Sequence, residues 1–200
     1  MPILQAEPAL YPPDLFTGAA EAHAPDRRWL VLHVKPRQEK SLARELHGRA
    51  TPFYLPLTRR LTLVRGRPVP SLIPCFPGYV FVLATPEERL AALGTRRVVR
   101  PLAVPDQDEL WHDLCQVSRL LAVNADATPD ERLVPGTPVE VLTGPLAGLH
   151  GVVLRTASGR RLWVQVNFIQ RGVSVLLDDC ALAPLPDAAR RTARAGDFPA

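Results

Sequence analysis

Basic side chains are concentrated in one part of the sequence, between residues 27 and 67, where their chemistry suits contact with a polyanion. This stretch contains eleven Lys and Arg but only two acids, Glu39 and Glu45. Between residues 101 and 131 the balance is reversed, with one Arg against seven acids. Because clustered positive charge attracts phosphate groups, the asymmetry predicts a basic face for a nucleic acid, beside an acidic face that repels it. A solvated surface without a ligand is the alternative interpretation.

Part of this charge falls on one face of the helix predicted to follow the first strand. Arg37, Lys40 and Arg44 recur at helical spacing, on the side opposite the leucines of the same segment. Residues three and four apart are neighbours on a helix surface, so these cations form a row that can follow a phosphate backbone. Pairing with the two nearby glutamates is the alternative. A hairpin predicted to turn at residues 65–67 adds a second basic tip.

An aromatic residue stands between two prolines at the start of another predicted strand, in the segment IPCFPGYVFV at residues 73–82. Proline has no amide hydrogen for a sheet ladder, so Pro74 and Pro77 fit only the beginning or the edge of a strand. A stiffened backbone can hold Phe76 and Tyr79 at the rim of an apolar patch that binds a partner. In the alternative interpretation, which the residue types alone favour, both aromatics are core residues.

Residue types that commonly act in catalysis have no spacing typical of an active site in this sequence. The five histidines share no spacing with acids or cysteines, and His112 with Cys115 supplies only two ligands, too few for zinc. The sequence has no phosphate-binding loop and no nucleophile elbow. Its three cysteines lie far apart, and no apolar run approaches the length of a membrane span. We therefore predict a cytoplasmic binding protein with reduced thiols, no enzymatic activity, no metal and no cofactor.

The basic and aromatic residues are positioned by an α+β domain predicted over residues 27–122. Its segments follow as strand, helix, hairpin, strand, helix, strand and helix, which favours an antiparallel four-stranded sheet flanked by helices. Residues 1–26, rich in Pro and Ala, predict a flexible arm, and the polar residues 123–133 predict a linker. Residues 134–185 contain five short apolar strands separated by Gly and Pro, which is typical of a small β-barrel. Residues 186–200 predict a disordered tail.

Residues 135–154, PGTPVEVLTGPLAGLHGVVL, resemble a KOW motif, in which a tight glycine turn joins two close strands. Upstream, the segments RWLVLHVKPRQEK, TLVRGRPVPSLIP and CFPGYVFV occur in the order found in the NusG N-terminal (NGN) domain. An NGN domain, a linker and a single KOW domain make up bacterial NusG-type elongation factors. The resemblance covers residues 28–185 and implies an SH3-like, five-stranded barrel for the KOW part.

This resemblance implies a role for each candidate residue. NGN domains grip the clamp helices of the β′ subunit of RNA polymerase, which implies polymerase binding by Trp29, Phe76, Pro77 and Tyr79. They also follow the non-template DNA strand of the transcription bubble, which implies contacts by His33, Lys35, Arg37, Gln38, Lys40, Arg44, Arg65 and Arg67. KOW domains recruit Rho or a small-subunit ribosomal protein, which implies partner contacts by Phe168 and Arg171. The implied protein is a monomeric factor that suppresses pausing and termination.

Two alternatives concern the kind of factor. A ribosome- or RNA-associated KOW protein would need a basic barrel, whereas residues 138–185 carry balanced charge, which favours a factor bound to polymerase. Within the family, the segment WVQVNFIQRGVSVLLDD departs from the pattern of the general factor after Phe168. This departure, the segment VKPRQEK and the N-terminal arm favour a specialised antiterminator of the RfaH type over a general NusG. The β-branched residues and glycines of the KOW segment still predict strands rather than the helical hairpin of some specialised relatives.

Overall fold

The fold is taken from a computed structural model, which describes seven segments of the chain. These are residues 8–17, 26–64, 67–123, 128–130, 137–156, 159–177 and 181–185. The chain forms two units: Met1–Leu57 with Phe76–Gln107, and Thr58–Cys75 with Asp108–Ala200. The residues of the third helix therefore group mainly with the C-terminal strands.

Helices and strands follow the predicted order, with short additional strands. Along the chain the elements are β1 (Leu10–Tyr11), β2 (Arg28–Val34), α1 (Glu39–Gly48), β3 (Phe53–Tyr54), β4 (Leu57–Val64), β5 (Arg67–Pro74), β6 (Tyr79–Ala84), α2 (Pro86–Gly94), β7 (Val98–Ala103), α3 (Gln107–Val123), β8 (Thr128–Asp130), β9 (Thr137–Val141), β10 (His150–Thr156), β11 (Gly159–Val166), β12 (Arg171–Leu176) and β13 (Leu182–Pro184).

The first unit is built on one antiparallel sheet, which in its described residues has five strands in the order β1-β3-β6-β2-β7. Alternation along β2 sends Leu30, Leu32 and Val34 to one face, where they form a core with Leu42 and Leu46 of α1. None of these five side chains is more than 7% exposed. The predicted α+β domain with a buried first strand and an amphipathic first helix is confirmed. The predicted sheet had four strands.

Helix α2 begins where its sequence indicates. The hydroxyl of Thr85 accepts a hydrogen bond from the backbone N–H of Glu88 at 3.2 Å, and the Glu88 carboxylate accepts one from the Thr85 N–H at 2.9 Å. This reciprocal capping box satisfies two amides that the helix itself leaves unpaired, and Pro86 occupies the first turn, where no amide is needed.

Residues 8–17 differ from the flexible arm that the sequence predicted. Strand β1 pairs with β3 and becomes an outer strand of the sheet. The chain then turns, which buries Leu15 completely and stacks the ring of Phe16 on that of Trp29, with 6.2 Å between centroids. The Phe16 ring also meets Tyr54 edge-on at 5.0 Å. Proline residues in this segment predicted a flexible arm. In the structure prolines of this segment lie in a turn, because the apolar residues around them pack against the first unit. Residues 1–7 and 18–25 lie outside the described part.

The second unit contains, in its described residues, the hairpin β4-β5, helix α3 and an antiparallel sheet of six strands in the order β13-β9-β10-β11-β12-β8. Strand β8 lies in the predicted linker and pairs with β12, so it adds a strand to the five predicted. The predicted disordered tail, residues 186–200, lies outside the described part. In the range 137–185 the regular elements described are strands, apart from the short 3-10 turn Asn167–Ile169, as the β-branched residues predicted.

Polar contacts join α3 to the C-terminal sheet. A carboxylate oxygen of Asp113 accepts a hydrogen bond from the backbone N–H of Asn167 at 2.8 Å. The Glu109 carboxylate accepts one from the side-chain amide of Asn167 at 3.1 Å. Further along the helix, Arg119 donates to the carbonyl oxygen of Ala147 at 2.7 Å. These bonds hold α3 against the turn before β12 and the turn between β9 and β10.

Candidate nucleic-acid and partner interface

Two proline turns of the same kind lie at one end of the first sheet. In residues 35–38 the N–H of Gln38 donates to the carbonyl of Lys35 at 3.1 Å, and in residues 76–79 the N–H of Tyr79 donates to the carbonyl of Phe76 at 3.1 Å. Each turn has proline at its second position and a residue with positive φ at its third. This is the composition of a type II turn, and it explains why Pro77 precedes the core strand β6.

The third residue differs between these turns. Gly78 has a φ of 85°, which glycine adopts without a steric cost, whereas Arg37 has a φ of 63°, which is unfavourable for a residue with a Cβ. Backbone strain of this kind is found where the surrounding structure holds a residue for function. The turn therefore presents the exposed Arg37 side chain before α1, which begins at Glu39. The prediction that Arg37 lies on the helix, in a row with Lys40 and Arg44, is wrong, because its left-handed backbone cannot continue the helix.

The turns are tied together by the backbone and by one buried side chain. The N–H of Val34 donates to the carbonyl of Gly78 at 2.8 Å. The N–H of Gly78 donates to a carboxylate oxygen of Glu39 at 2.8 Å, and Glu39 is only 6% exposed. The end of β2, the first turn of α1 and the start of β6 therefore form one connected corner.

A row of three side chains crosses the sheet beside this corner. His33 of β2 stands directly opposite Tyr79 of β6 and Arg100 of β7. Directly paired residues of antiparallel strands lie on the same face, so the three side chains are neighbours. The rings of His33 and Tyr79 are 5.5 Å apart, and the ring nitrogen Nδ1 of His33 has no hydrogen-bond partner among the described residues. An aromatic pair beside an Arg is a combination suited to a stacked base and its phosphate.

The predicted polymerase-binding residues occupy different depths. Phe76 is 1% exposed and meets Phe81 edge-on at 5.8 Å, and Trp29 is 5% exposed under Phe16. Tyr79 is half-buried and Pro77 is exposed. In this conformation Phe76 and Trp29 are core residues, while Tyr79 and Pro77 reach the surface.

The predicted nucleic-acid residues of this unit lie around the same corner. Lys35, Arg37 and Arg44 are exposed, and Gln38 and Lys40 are half-buried. The two acids of the segment are engaged elsewhere: Glu39 binds a backbone N–H, and Glu45 pairs with Arg97 at 2.8 Å and with Arg49 at 3.0 Å. The alternative of a cation row paired with these glutamates has no support among the contacts of Arg37 and Lys40 in the described residues. At the hairpin tip, Arg65 and the side chain of Arg67 lie outside the described part of the structure.

Sequence reasoning missed the basic residues of β7 and of the turn before it. Arg100 completes the cross-strand row, and the carbonyl of Arg97 accepts a hydrogen bond from the N–H of Lys35 at 2.9 Å. The segment RRVVR was visible, but its place beside β2 depends on strand order, which composition does not reveal. Cross-strand neighbours of His33 are the signal that would have found Arg100.

The two predicted KOW contact residues flank the 3-10 turn of the second unit. Phe168 lies within it, Arg171 begins β12, and both are half-buried. Gln170 between them has a φ of 52° and donates from its side chain to the carbonyl of Asn167 at 2.6 Å. The turn is thus closed by its own side chain, and Asp113 of α3 accepts its first N–H.

Reactive groups in the described residues show no catalytic arrangement. Burial raises the pKa of the Cys75 thiol to about 12 and that of Cys115 to about 11, so neither is a thiolate at neutral pH. No group of three or more His, Cys, Asp or Glu in the described ranges is placed to hold a metal ion. No described helix is long and apolar enough to cross a membrane.

Fold and site together define an α+β domain with a basic, aromatic corner, followed by a β-rich domain. Comparison with known proteins agrees: residues 27–119 match the family model "NusG: Transcription termination factor nusG". Over residues 27–119 the chain is therefore similar to the NusG family, whose name refers to transcription termination. It is also similar to the structure titled "Domain interaction in Thermotoga maritima NusG", with 17% identity over 78% of this chain and 94% of that chain, and a TM-score of 0.42. No curated protein matches the chain.

Proposed function

We propose that this protein is a transcription elongation factor that binds RNA polymerase through its NusG-type domain and suppresses pausing and termination. One observation carries the proposal: the family match over residues 27–119 includes both proline turns and the whole row formed by Tyr79, His33 and Arg100. The chemistry of that corner, cations beside aromatic rings, suits a factor that touches a protein and a nucleic acid at once.

The polymerase contact is assigned to the turn at residues 76–79. Tyr79 presents a large amphipathic ring on a backbone already fixed by proline and by two hydrogen bonds to Gly78, so little backbone entropy is lost on binding. Buried Phe76 keeps the turn in place from below. The partner surface proposed from the family resemblance is the pair of clamp helices of the β′ subunit.

The nucleic-acid contact is assigned to the neighbouring cations. Lys35 and Arg37 precede α1, Arg44 lies further along it, and Arg100 extends the set across the sheet. These charges would neutralise phosphates of the non-template DNA strand, while the rings of His33 and Tyr79 offer a stacking surface for an unpaired base.

The C-terminal domain is assigned the recruitment of a second partner through Phe168 and Arg171, which flank the 3-10 turn. Rho and a small-subunit ribosomal protein are the partners that the resemblance implies. We propose a specialised antiterminator of the RfaH type rather than a general NusG, because the sequence departs from the general pattern directly after Phe168 and the turn there is closed by Gln170. Capture of Rho by the purified chain would instead favour the general factor.

Substitution of Tyr79 tests the polymerase contact. We expect Tyr79→Ala to fold normally and to weaken binding to purified bacterial RNA polymerase by about tenfold or more, because interface aromatics of this kind commonly contribute over 1.4 kcal/mol. Leu90→Ala is the matched control, since Leu90 is a 63% exposed apolar residue on α2 of the same domain. Phe76→Ala should instead lower the free energy of unfolding by about 3–5 kcal/mol, because its ring is buried. Unchanged polymerase binding by folded Tyr79→Ala would contradict the assignment.

A further inference from the structure

Glu39 is a buried carboxylate that pairs with no cation among the described residues. It stands in the first turn of α1, is 6% exposed, and accepts a hydrogen bond from the N–H of Gly78 at 2.8 Å. The carboxylate therefore binds a backbone amide that lies 39 residues away in the chain. A bond from an N–H to a charged oxygen is stronger than a bond between neutral groups.

The peptide groups around Gly78 are held on both sides. Its N–H is bound by Glu39, and its carbonyl accepts the N–H of Val34, the last residue of β2. Gly78 itself has the freedom to adopt many backbone conformations, because it has no Cβ. Without the carboxylate its amide would be a half-buried donor without a partner, and the turn that carries Tyr79 would lose its link to α1.

Glu39 is also adjacent to the other turn. It follows directly after residues 35–38, in which Arg37 is held at a φ of 63°. A displacement of this carboxylate therefore moves the start of α1, with Lys35 and Arg37, relative to Tyr79. Lys35, Arg37 and Tyr79 are the side chains to which polymerase and nucleic-acid contacts are assigned above.

We propose that Glu39 is a positioning residue that fixes the two turns against each other, so that one rigid corner serves the polymerase contact and the nucleic-acid contact together. Glu39 touches neither partner and acts only through the Gly78 amide and the first turn of α1. This inference rests on the proposed function for its consequences, but the hydrogen bond itself can be tested in the protein alone.

Three variants distinguish the hydrogen bond to the Gly78 N–H from the negative charge of Glu39. Glu39→Gln keeps an oxygen that can accept the Gly78 N–H, Glu39→Asp withdraws it by one methylene, and Glu39→Ala removes it. Glu87→Ala is the matched control, because Glu87 is an exposed acid in the first turn of α2. The measurements on the full chain are hydrogen exchange of the Gly78 amide, binding to purified RNA polymerase, and crosslinking to the non-template strand in a paused complex.

We expect the Gly78 amide to exchange about tenfold faster or more in Glu39→Asp and Glu39→Ala, and near the native rate in Glu39→Gln and Glu87→Ala. In the same two variants polymerase binding and crosslinking should decline together. Glu39→Gln should retain both. Unchanged exchange in Glu39→Asp would overturn the inference whatever the function. Faster exchange with a loss of only one of the two activities would overturn the coupling.

Failure of the proposed function is distinguishable from failure of this inference. If Tyr79→Ala binds polymerase normally, the assigned contact is wrong, yet the exchange of the Gly78 amide still reports whether Glu39 holds the turn. If Tyr79→Ala loses polymerase while Glu39→Ala keeps both activities at native level, the contact stands and the positioning role of Glu39 is refuted.

Discussion

At the scale of single residues, the conformation of Arg37 is the most informative feature of the corner. The described part of the chain has four non-glycine residues with positive φ, and two of them, Arg37 and Arg96, are arginines of this region. The left-handed conformation costs an L-residue about 1–2 kcal/mol, which glycine would avoid. A glycine there would avoid this cost, and we therefore propose that Arg37 is present for its guanidinium.

Two separate variants, in which Arg37 is replaced by glycine or by alanine, test this interpretation. Both Arg37→Gly and Arg37→Ala remove the guanidinium and should weaken DNA crosslinking alike. Glycine relieves the strain but loses roughly 0.5–1 kcal/mol more backbone entropy on folding, so Arg37→Gly should be the more stable by up to about 1.5 kcal/mol. Denaturant unfolding of the two variants measures the difference. A more stable Arg37→Ala would show that the positive φ carries no strain.

At the scale of elements, strands β11 and β12 approach so closely that only glycine fits between them. A Cβ on Gly172 would stand 2.5 Å from Nε1 of Trp163 and 2.6 Å from the carbonyl oxygen of Val164. Trp163 is 1% exposed, so its ring is packed inside the domain and can move only at the expense of its present contacts. The glycine that the sequence placed next to Arg171 thus has a packing role in the C-terminal sheet.

We expect Gly172→Ala to lower the free energy of unfolding by about 1–3 kcal/mol, as overpacking does. Gly48→Ala is the control, since nothing lies within 4 Å of a Cβ built there at the end of α1. That change should be neutral or stabilising by up to about 1 kcal/mol, because alanine favours a helix. Equal stability of the two variants in urea unfolding would refute the close approach of Trp163.

The contact between α3 and the C-terminal sheet should depend on pH through His112. Burial and, to a smaller extent, the nearby His150 lower the pKa of His112. The folded chain then binds this proton less readily than the unfolded chain, so stability is full above the unfolded pKa of roughly 6.5 and declines as pH falls through it.

The thermal midpoint should therefore drop between about pH 7 and pH 5 by more in the native chain than in His112→Gln, which does not titrate. Circular dichroism at each pH measures the midpoints. His47→Gln serves as control, because His47 is exposed on α1. An identical decline in the native chain and His112→Gln would contradict this source of pH dependence.

At the scale of the whole molecule, the position of the charges matters more than their sum. The formal net charge is only +4, yet Lys35, Arg37, Arg44 and Arg100 lie around one corner of the first domain. A modest net charge limits indiscriminate binding to nucleic acid, while a local cluster still attracts a phosphate backbone.

Two double variants with the same net charge separate position from sum. Arg37→Gln with Arg100→Gln should reduce the slope of log affinity for single-stranded DNA against log salt by about 0.7 per lost phosphate contact. Arg28→Gln with Arg89→Gln removes two exposed arginines at the start of β2 and on α2, and should leave the slope nearly unchanged. Equal slopes for the two pairs in a salt titration would mean that only net charge matters.

Local features of the fold were predictable, and features that depend on distant partners were not. Alternation in β2, the leucine spacing of α1 and the capping residues of α2 are local signals, and each element formed as predicted. The burial of Phe76 depends on Phe81 and the neighbourhood of Arg100 on strand order, neither of which spacing reveals. The sequence predicts an arm at residues 8–17 because prolines conceal a short strand whose partner lies more than forty positions away.

The two outer strands of the first sheet bear on how the protein behaves at high concentration. A bare sheet edge is a template on which other chains can assemble. Here one edge ends on β1, which is two residues long, and the other on β7, in which Pro101 removes a donor. A fragment beginning at residue 27, where the family match starts, would lack β1 and leave β3 and Trp29 uncovered. We expect such a fragment to aggregate more readily than the full chain, because the uncovered edge of β3 is a template for pairing.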